Sequence, residues 1–168
     1  MAFTHSSGWR PDFGGILKSA GSGGLFGAMC VRYGSEDEPD TTGEYFDQFT
    51  DFAFKSAQMR VCTLFNHGLP IDSSAVAKRF SDAVFPDATI ERVEGGLFGT
   101  IKLSPADPLQ SAVARMIEAG ALRFSSGSTV QFARRQGGRI VRWPIVELSV
   151  TARPAEPRLP KIRNLQPS

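Results

Sequence analysis

The stretch Gly120-Ala121-Leu122-Arg123-Phe124-Ser125-Ser126-Gly127-Ser128 joins the end of a helical pattern to a short apolar strand pattern. Upstream, Asp107 can cap a helix whose first residue is Pro108, and Gly120 can end that helix. Leu109, Val113, Met116 and Ile117 then share one apolar face at helical spacing. We therefore predict a helix packed on the core, followed by a strand that ends in two serines and a glycine.

Strand patterns dominate the rest of the chain. Residues 25–33 predict a buried strand, and residues 58–65 predict a second one by their alternation. Four strand-like segments follow the predicted helix, with a hairpin signal at Gln136-Gly137-Gly138 between the second and third: residues 121–126, 129–135, 138–143 and 145–152. The fold class that this indicates is α+β, a mainly antiparallel β-sheet or small β-barrel with a few helices.

Two central segments have less regular patterns. Residues 75–103 predict two or three strands, with turns at Pro86-Asp87 and at Glu94-Gly95-Gly96. Residues 75–84 are equally compatible with a helix. The aromatic residues Phe46, Phe49 and Phe52 recur every three positions, which favours a short helix or turn with one apolar face.

The two ends differ in composition from the middle. Residues 1–24 contain many Gly and Ser and predict a flexible arm. Residues 25–153 form the predicted β-rich domain. Residues 154–168 are rich in proline and basic, without a core-forming pattern, which predicts an extended tail. His5 belongs to the arm and is therefore a poor catalytic candidate.

Composition limits the function classes. The chain has 168 residues, of which 41% are hydrophobic and 21% charged, which is typical of one globular domain. No apolar run approaches the ~20 residues that a spanning helix needs, and no signal-peptide pattern opens the chain, so we expect an intracellular protein. A net charge of +2 does not indicate nucleic-acid binding.

The charges are nevertheless unevenly distributed. Acidic residues concentrate between positions 36 and 51, and basic residues in the tail, at Arg153, Arg158, Lys161 and Arg163. We interpret these as two solvated surfaces.

The sequence predicts neither a metal nor a cofactor. Cys30 and Cys62 lie in strand patterns and are expected to be buried free thiols. No His/Cys/Asp spacing fits zinc, no Gly-rich loop fits a phosphate, and no Gly-x-Ser-x-Gly elbow is present.

The chain contains the three residue types of a catalytic relay: a serine as nucleophile, a histidine as base and a glutamate as orienting acid. Ser125 lies in the opening stretch, His67 follows the second predicted strand, and Glu147 lies within the last. Such a relay is recognised by geometry rather than chain order. Alternation puts Glu147 on one face with Ile145 and Ser149, and that face is either solvated or buried with a partner. A structural histidine and a simple Ser-Ser-Gly turn remain alternative interpretations.

Four separate stretches resemble the prohead (capsid maturation) proteases of tailed phages, which are related in fold to the herpesvirus assemblins. Together the stretches span about residues 25–158, and their joint order is more specific than any one motif. They are Tyr33-Gly34 through Asp40-Thr41-Thr42-Gly43-Glu44-Tyr45-Phe46, Leu64-Phe65-Asn66-His67-Gly68, the stretch from Gly120 to Gly127, and the stretch from Trp143 to Pro157.

The resemblance implies an assemblin-like fold and assigns roles to the three residues. Ser125 would be the nucleophile, His67 the general base and Glu147 the group that orients the imidazole. Ser126 is an alternative nucleophile, because the family pattern is Ser-x-Gly and x is itself serine here. The chain departs from the pattern at Gly68, where many relatives have aspartate.

The resemblance also implies a function. The chain would hydrolyse peptide bonds of the scaffolding protein, the major capsid protein and itself, inside the assembling prohead in the cytoplasm of a bacterial host. Self-association is a further candidate interaction, whereas membrane and nucleic acid are not expected partners. Gly127 or Gly137-Gly138 are candidates for supplying the oxyanion donors, and the tail after Pro154 is either a self-cleavage or targeting segment or a plain terminus.

Two other functions compete with peptide hydrolysis. The first is a catalytically inactive capsid-assembly protein that keeps the protease fold. The second is a small β domain that binds nucleic acid or another protein through its basic tail.

Overall fold

The computed structural model describes residues 23–166. The predicted arm therefore lies outside the described residues except for its last two positions, and so does His5. The described part of the chain contains nine strands, two α-helices and one short 3₁₀ helix at Asn66–Gly68. The strands and α-helices are β1 Gly24–Arg32, β2 Gln58–Phe65, α1 Ala75–Asp82, β3 Phe85–Val93, β4 Gly96–Leu103, α2 Pro108–Glu118, β5 Arg123–Gly127, β6 Arg134–Gln136, β7 Arg139–Arg142, β8 Glu147–Thr151 and β9 Arg163–Asn164.

Seven of these strands form one sheet, in the order β5-β8-β2-β3-β4-β1-β9. Every neighbouring pair is antiparallel except β2 and β8, which are parallel. The sheet curls into a half-barrel, so that β5 at one edge contacts β1 near the other. Strands β6 and β7 form a separate hairpin. The predicted α+β class, mainly antiparallel, is confirmed.

Side chains from the strands of this sheet and from α2 together form the hydrophobic core. Phe26, Phe124 and Leu148 from three different strands are each 0% exposed. Helix α2 begins as predicted, because Asp107 Oδ1 accepts hydrogen bonds from the backbone N–H groups of Leu109 and Gln110. Its apolar face is buried, so α2 fixes the point from which β5 starts.

The ambiguous segment after β2 contains one helix and two strands. Ser74 caps α1 by accepting a hydrogen bond from the Ala77 N–H. The predicted turn at Pro86-Asp87 is wrong, since both residues lie within β3, opposite an irregularity in the pairing with β2. Proline lacks a backbone N–H, and it is tolerated there because the irregular pairing requires no hydrogen bond from that position. The turn predicted at Glu94-Gly95-Gly96 is confirmed by a positive φ at Gly95.

Two local predictions needed correction. Residues 129–135, predicted as a strand, are mostly turn, and only their end joins β6. The aromatic triplet does form a turn, but it lacks a common apolar face: Phe46 and Phe52 pack with ring centroids 5.5 Å apart, whereas Phe49 is 72% exposed. Exposed turns tolerate such a side chain because solvent, not packing, surrounds it.

The tail contributes to the core, contrary to the sequence-based expectation. Leu159 and Ile162 are 3% and 2% exposed. Ile162 N–H donates to the Leu122 carbonyl at 3.0 Å, and β9 pairs with β1. Although the segment is rich in proline, the two apolar residues Leu159 and Ile162, three positions apart, suffice to anchor it to the core. No helix among residues 23–166 is long and apolar enough to cross a membrane.

The acidic stretch is not merely a solvated surface. Asp47 pairs with Arg139 at 2.6 Å and Asp51 with Arg142 at 3.2 Å, while Glu44 pairs with Arg135. Three ion pairs in a row thus join the loop after β1 to the β6–β7 hairpin. Burial raises the pKa of Asp47, but hydrogen bonds from Arg139 and two backbone N–H groups outweigh it and lower the pKa below its usual value.

Candidate active site

Strand β8 brings the three candidate catalytic residues to one place. It pairs with β5 on one side and with β2, whose end carries His67, on the other. In the antiparallel register Ser125 lies opposite Ser149, and Gly127 opposite Glu147. Directly opposed residues project from the same face. Ser125 and Glu147 therefore share a face of the sheet.

The turn after β2 places His67 in an uncommon backbone conformation. Asn66 and His67 have φ values of 50° and 57°, and Gly68 follows at 71°. Two consecutive non-glycine residues in the left-handed region cost free energy, on the order of 1–3 kcal/mol each, and persist only where the surroundings enforce them. Glycine at position 68 fits this turn because a third positive φ is required there.

Hydrogen bonds from β8 hold this turn. The His67 backbone N–H donates to Ser149 Oγ at 2.9 Å. Thr151 Oγ1 donates to the Asn66 side-chain oxygen at 3.0 Å, and the Asn66 amide donates in turn to the Leu69 carbonyl at 2.9 Å. Ser149 and Thr151 of β8 thereby hold the backbone of Asn66 and His67 in this conformation.

The imidazole itself contacts the buried carboxylate. His67 Nδ1 lies 2.6 Å from Glu147 Oε1, and Ser149 Oγ donates to Glu147 Oε2 at 2.7 Å. When the carboxylate accepts this hydrogen bond from Nδ1–H, Nε2 is the ring nitrogen that can accept a proton from another group. Ser149 thus binds both the acid and the turn that carries the histidine.

The alternating face of β8 is buried, which decides between the two alternatives that the sequence left open. Glu147, Ser149 and Thr151 are 9%, 0% and 1% exposed. All three bond to residues 66 and 67, so the polar face is an internal support for the histidine turn.

Gly127 makes room for the carboxylate. A Cβ built at this position would lie 1.9 Å from Glu147 Oε1, far inside van der Waals contact. The Ser-x-Gly pattern therefore has a steric reason here: two residues after Ser125, the same face of β5 must be bare for Glu147 to lie over it.

The pleat of β5 separates the two serines. Ser125 is 7% exposed, and none of the residues 23–166 forms a hydrogen bond with its hydroxyl or with His67 Nε2. Ser126 projects from the opposite face, where its Oγ accepts a hydrogen bond of 3.2 Å from Trp143 Nε1. Of the two hydroxyls, only Ser125 shares a face with the His67–Glu147 pair.

A cleft of about 610 Å³ adjoins these residues. His67, Glu147 and the serines line one side of it. Its other sides are formed by β1, by residues 34–46 of the loop after β1, by the β6–β7 hairpin and by the tail. Both serines border the cleft, although they lie on opposite faces of β5.

The glycines considered as oxyanion donors differ in position. Gly127 lines the cleft. Gly137 forms the hairpin turn with φ 62°, and Gly138 accepts a hydrogen bond from the Tyr45 N–H and lies against the Gly43 backbone. Neither hairpin glycine lines the cleft, so their requirement for glycine is explained by the turn and by close backbone approach.

The two cysteines do not share an environment. Cys30 is 2% exposed, and burial raises the pKa of its thiol to about 12. Cys62 is exposed, which corrects the expectation of a buried thiol; partial desolvation and the charge of Glu147, its neighbour across β2 and β8, raise its pKa. Within residues 23–166, no group of His, Cys, Asp and Glu could hold a metal ion.

Sequence reasoning found the three candidate residues but missed their supports. Ser149 was identified only as sharing a face with Glu147, and Thr151 and Asn66 were not identified at all, although Glu-Leu-Ser-Val-Thr alternates polar and apolar residues. That alternation is the signal that could have found them, had the polar face been assigned to the interior. Nothing in the sequence marked Trp143 as a partner of Ser126.

Comparison of the chain with protein-family models, with curated proteins and with solved structures found no match.

Proposed function

We propose that this protein is a serine endopeptidase in which Ser125, His67 and Glu147 act as nucleophile, general base and orienting acid. The observation that carries the proposal is the 2.6 Å contact between His67 Nδ1 and Glu147 Oε1, made in a cleft that Ser125 also lines. A carboxylate on one imidazole nitrogen and an unpartnered second nitrogen is the arrangement that a general base requires.

The proposed reaction proceeds through an acyl-enzyme. His67 Nε2 takes the Ser125 hydroxyl proton as Oγ attacks the scissile carbonyl, and it returns that proton to the leaving amine. Glu147 keeps the ring in the productive tautomer and stabilises the imidazolium. Water then attacks the acyl-enzyme with His67 again as base, which releases the acid product. We expect the hydrogen bond between Ser125 Oγ and His67 Nε2 to form when substrate binds, since such hydrogen bonds are often long in free enzymes.

The substrates we propose follow from the resemblance to prohead proteases. They are the scaffolding protein, the major capsid protein and the chain itself, cleaved within an assembling capsid. A curled, mainly antiparallel sheet with two helices is compatible with an assemblin-like domain. The strand order that joins β2, β8 and β5 gives the motif residues His67, Glu147 and Ser125 one common location.

Co-expression with candidate capsid and scaffolding proteins tests the proposal. We expect wild type and Ser126→Ala to cleave one of these proteins, and Ser125→Ala and His67→Ala to leave it intact. Removing either relay member should lower the rate by ~10⁴-fold or more. If wild type and all three variants leave the substrate equally intact while capsids still assemble, the inactive assembly protein is the correct function and the peptidase proposal fails.

A further inference from the structure

The cleft continues past Ser125 into an apolar recess. Its floor is β1, where Cys30 and Val31 are each 2% exposed. Phe46 and Trp143 line it from the side, and Leu159, which the tail contributes, is 3% exposed. This recess lies on the Ser126 side of β5 and takes no part in the relay.

We propose that this recess, defined by Val31, Phe46, Trp143 and Leu159, is a specificity subsite for a large apolar side chain of the substrate. The inference rests on the proposed peptidase function, because it names the substrate class of that cleft. The apolar floor offers no hydrogen-bond partner to a polar side chain, whereas an aliphatic or aromatic side chain gains contact area on every wall.

Most charged side chains around the recess are paired with one another, with two exceptions among the described residues. Glu44 pairs with Arg135, Glu38 with Arg32, and Glu156 with Arg158. Asp40 accepts hydrogen bonds from Thr42 and the Glu44 N–H but forms no ion pair, and Arg32 Nη1 is a buried donor without an acceptor. Against the apolar side chains of Val31, Phe46, Trp143 and Leu159, however, a charged substrate side chain would lose its hydration without gaining a partner. These four walls therefore favour recognition by shape and apolar contact rather than by charge.

Three contacts fix the orientation of the Trp143 side chain, which forms one wall of the recess. Its Nε1–H donates to Ser126 Oγ at 3.2 Å, its ring meets Phe46 edge to face at 5.7 Å, and the Arg135 guanidinium lies 5.5 Å from its ring centroid. An indole with a bonded N–H and two flanking partners has one orientation. Ser126 is thus a positioning residue for the subsite, which explains the second serine without a role in bond cleavage.

Cleavage of a proteome-derived peptide mixture, read by mass spectrometry, tests the subsite. Wild type should cut where a large apolar residue, such as Leu, Met or Phe, occupies one fixed position relative to the cut. Matched peptides with Ala at that position should lose about 10- to 100-fold in kcat/KM. Trp143→Ala should abolish the preference for a large apolar residue over Ala, mainly by raising KM for the apolar peptide. Trp143→Phe and Ser126→Ala should reduce that preference only in part. Phe49→Ala, which removes an exposed aromatic side chain outside the cleft lining, should leave it unchanged.

A binding measurement separates failure of this inference from failure of the peptidase proposal. The chain has two tryptophans, so Trp9→Phe leaves Trp143 as the only tryptophan, which can be excited selectively over the tyrosines. In the Trp9→Phe, Ser125→Ala chain, a peptide with a central Leu should shift Trp143 emission at concentrations at least ten-fold lower than its Ala or Glu counterpart. Cleavage by wild type without apolar preference, or equal titration by all three peptides, overturns the subsite. Leu-selective titration without cleavage by wild type supports the subsite and refutes the peptidase.

Discussion

Ser149→Ala removes the hydroxyl that joins the acid to the histidine turn. The side chain is 0% exposed, donates to Glu147 Oε2 at 2.7 Å and accepts from the His67 N–H at 2.9 Å. A hydrogen bond to a charged group contributes about 1.5–3 kcal/mol and a neutral one about 0.5–1.5 kcal/mol. Losing both should lower the free energy of unfolding by about 2–4 kcal/mol.

The same substitution should slow catalysis more than it weakens substrate binding. Without Ser149, neither the Glu147 carboxylate nor the strained backbone of His67 keeps its support, so the imidazole samples unproductive positions. We expect kcat of the proposed peptidase to fall roughly 10- to 100-fold with little change in KM. Urea unfolding and steady-state kinetics on a cleaved peptide measure the two effects.

Ser81→Ala is the matched control for Ser149→Ala. Ser81 is also a buried hydroxyl, 8% exposed, and it donates to the Lys78 carbonyl within α1, away from the cleft. Its loss should reduce stability, by about 0.5–1.5 kcal/mol, and leave kcat unchanged. The reasoning is refuted if Ser149→Ala retains full kcat, or if Ser81→Ala slows the reaction equally.

Three further substitutions test separate parts of the structure. Gly127→Ala should abolish peptide cleavage while the chain stays folded by circular dichroism, because its Cβ would lie 1.9 Å from Glu147 Oε1; retained activity would contradict this packing. Ile162→Ala should lower the free energy of unfolding by about 2–5 kcal/mol, since Ile162 is 2% exposed, whereas a dispensable tail would show no change. The lowered pKa of Asp47 means that its ion pair stabilises the fold above the unfolded-state pKa of about 3.9 and loses that contribution as pH falls further. Wild type should therefore lose more stability than Asp47→Asn between about pH 5 and 3, and parallel acid titrations of the two would argue against the pair.

The parts of the fold that the sequence predicted are those with local signals. Asp107 and Pro108 define the start of α2 by capping chemistry, and the alternation from Gln58 predicts β2 with its observed bounds. The tail was mispredicted because its two buried residues depend on distant partners, Leu122 and β1. Proline content carries no information about such long-range pairing.

The candidate site shows the same division. Ser125, His67 and Glu147 were predicted as a group, but their common face follows from the register of β8 with β5. Register depends on partners far away in sequence, so no local pattern specifies it. The pleat that separates Ser125 from Ser126, and the Trp143 indole that bonds the latter, likewise required the three-dimensional structure.

Labelling with a fluorophosphonate, which reacts with activated serine hydroxyls, tests the central proposal most directly. Peptide mapping by mass spectrometry then identifies the modified residue. The Ser125–His67–Glu147 relay predicts a single adduct on Ser125 in wild type and in Ser126→Ala, and none in His67→Ala. An adduct on Ser126, or an unlabelled chain that is fully folded, would contradict it.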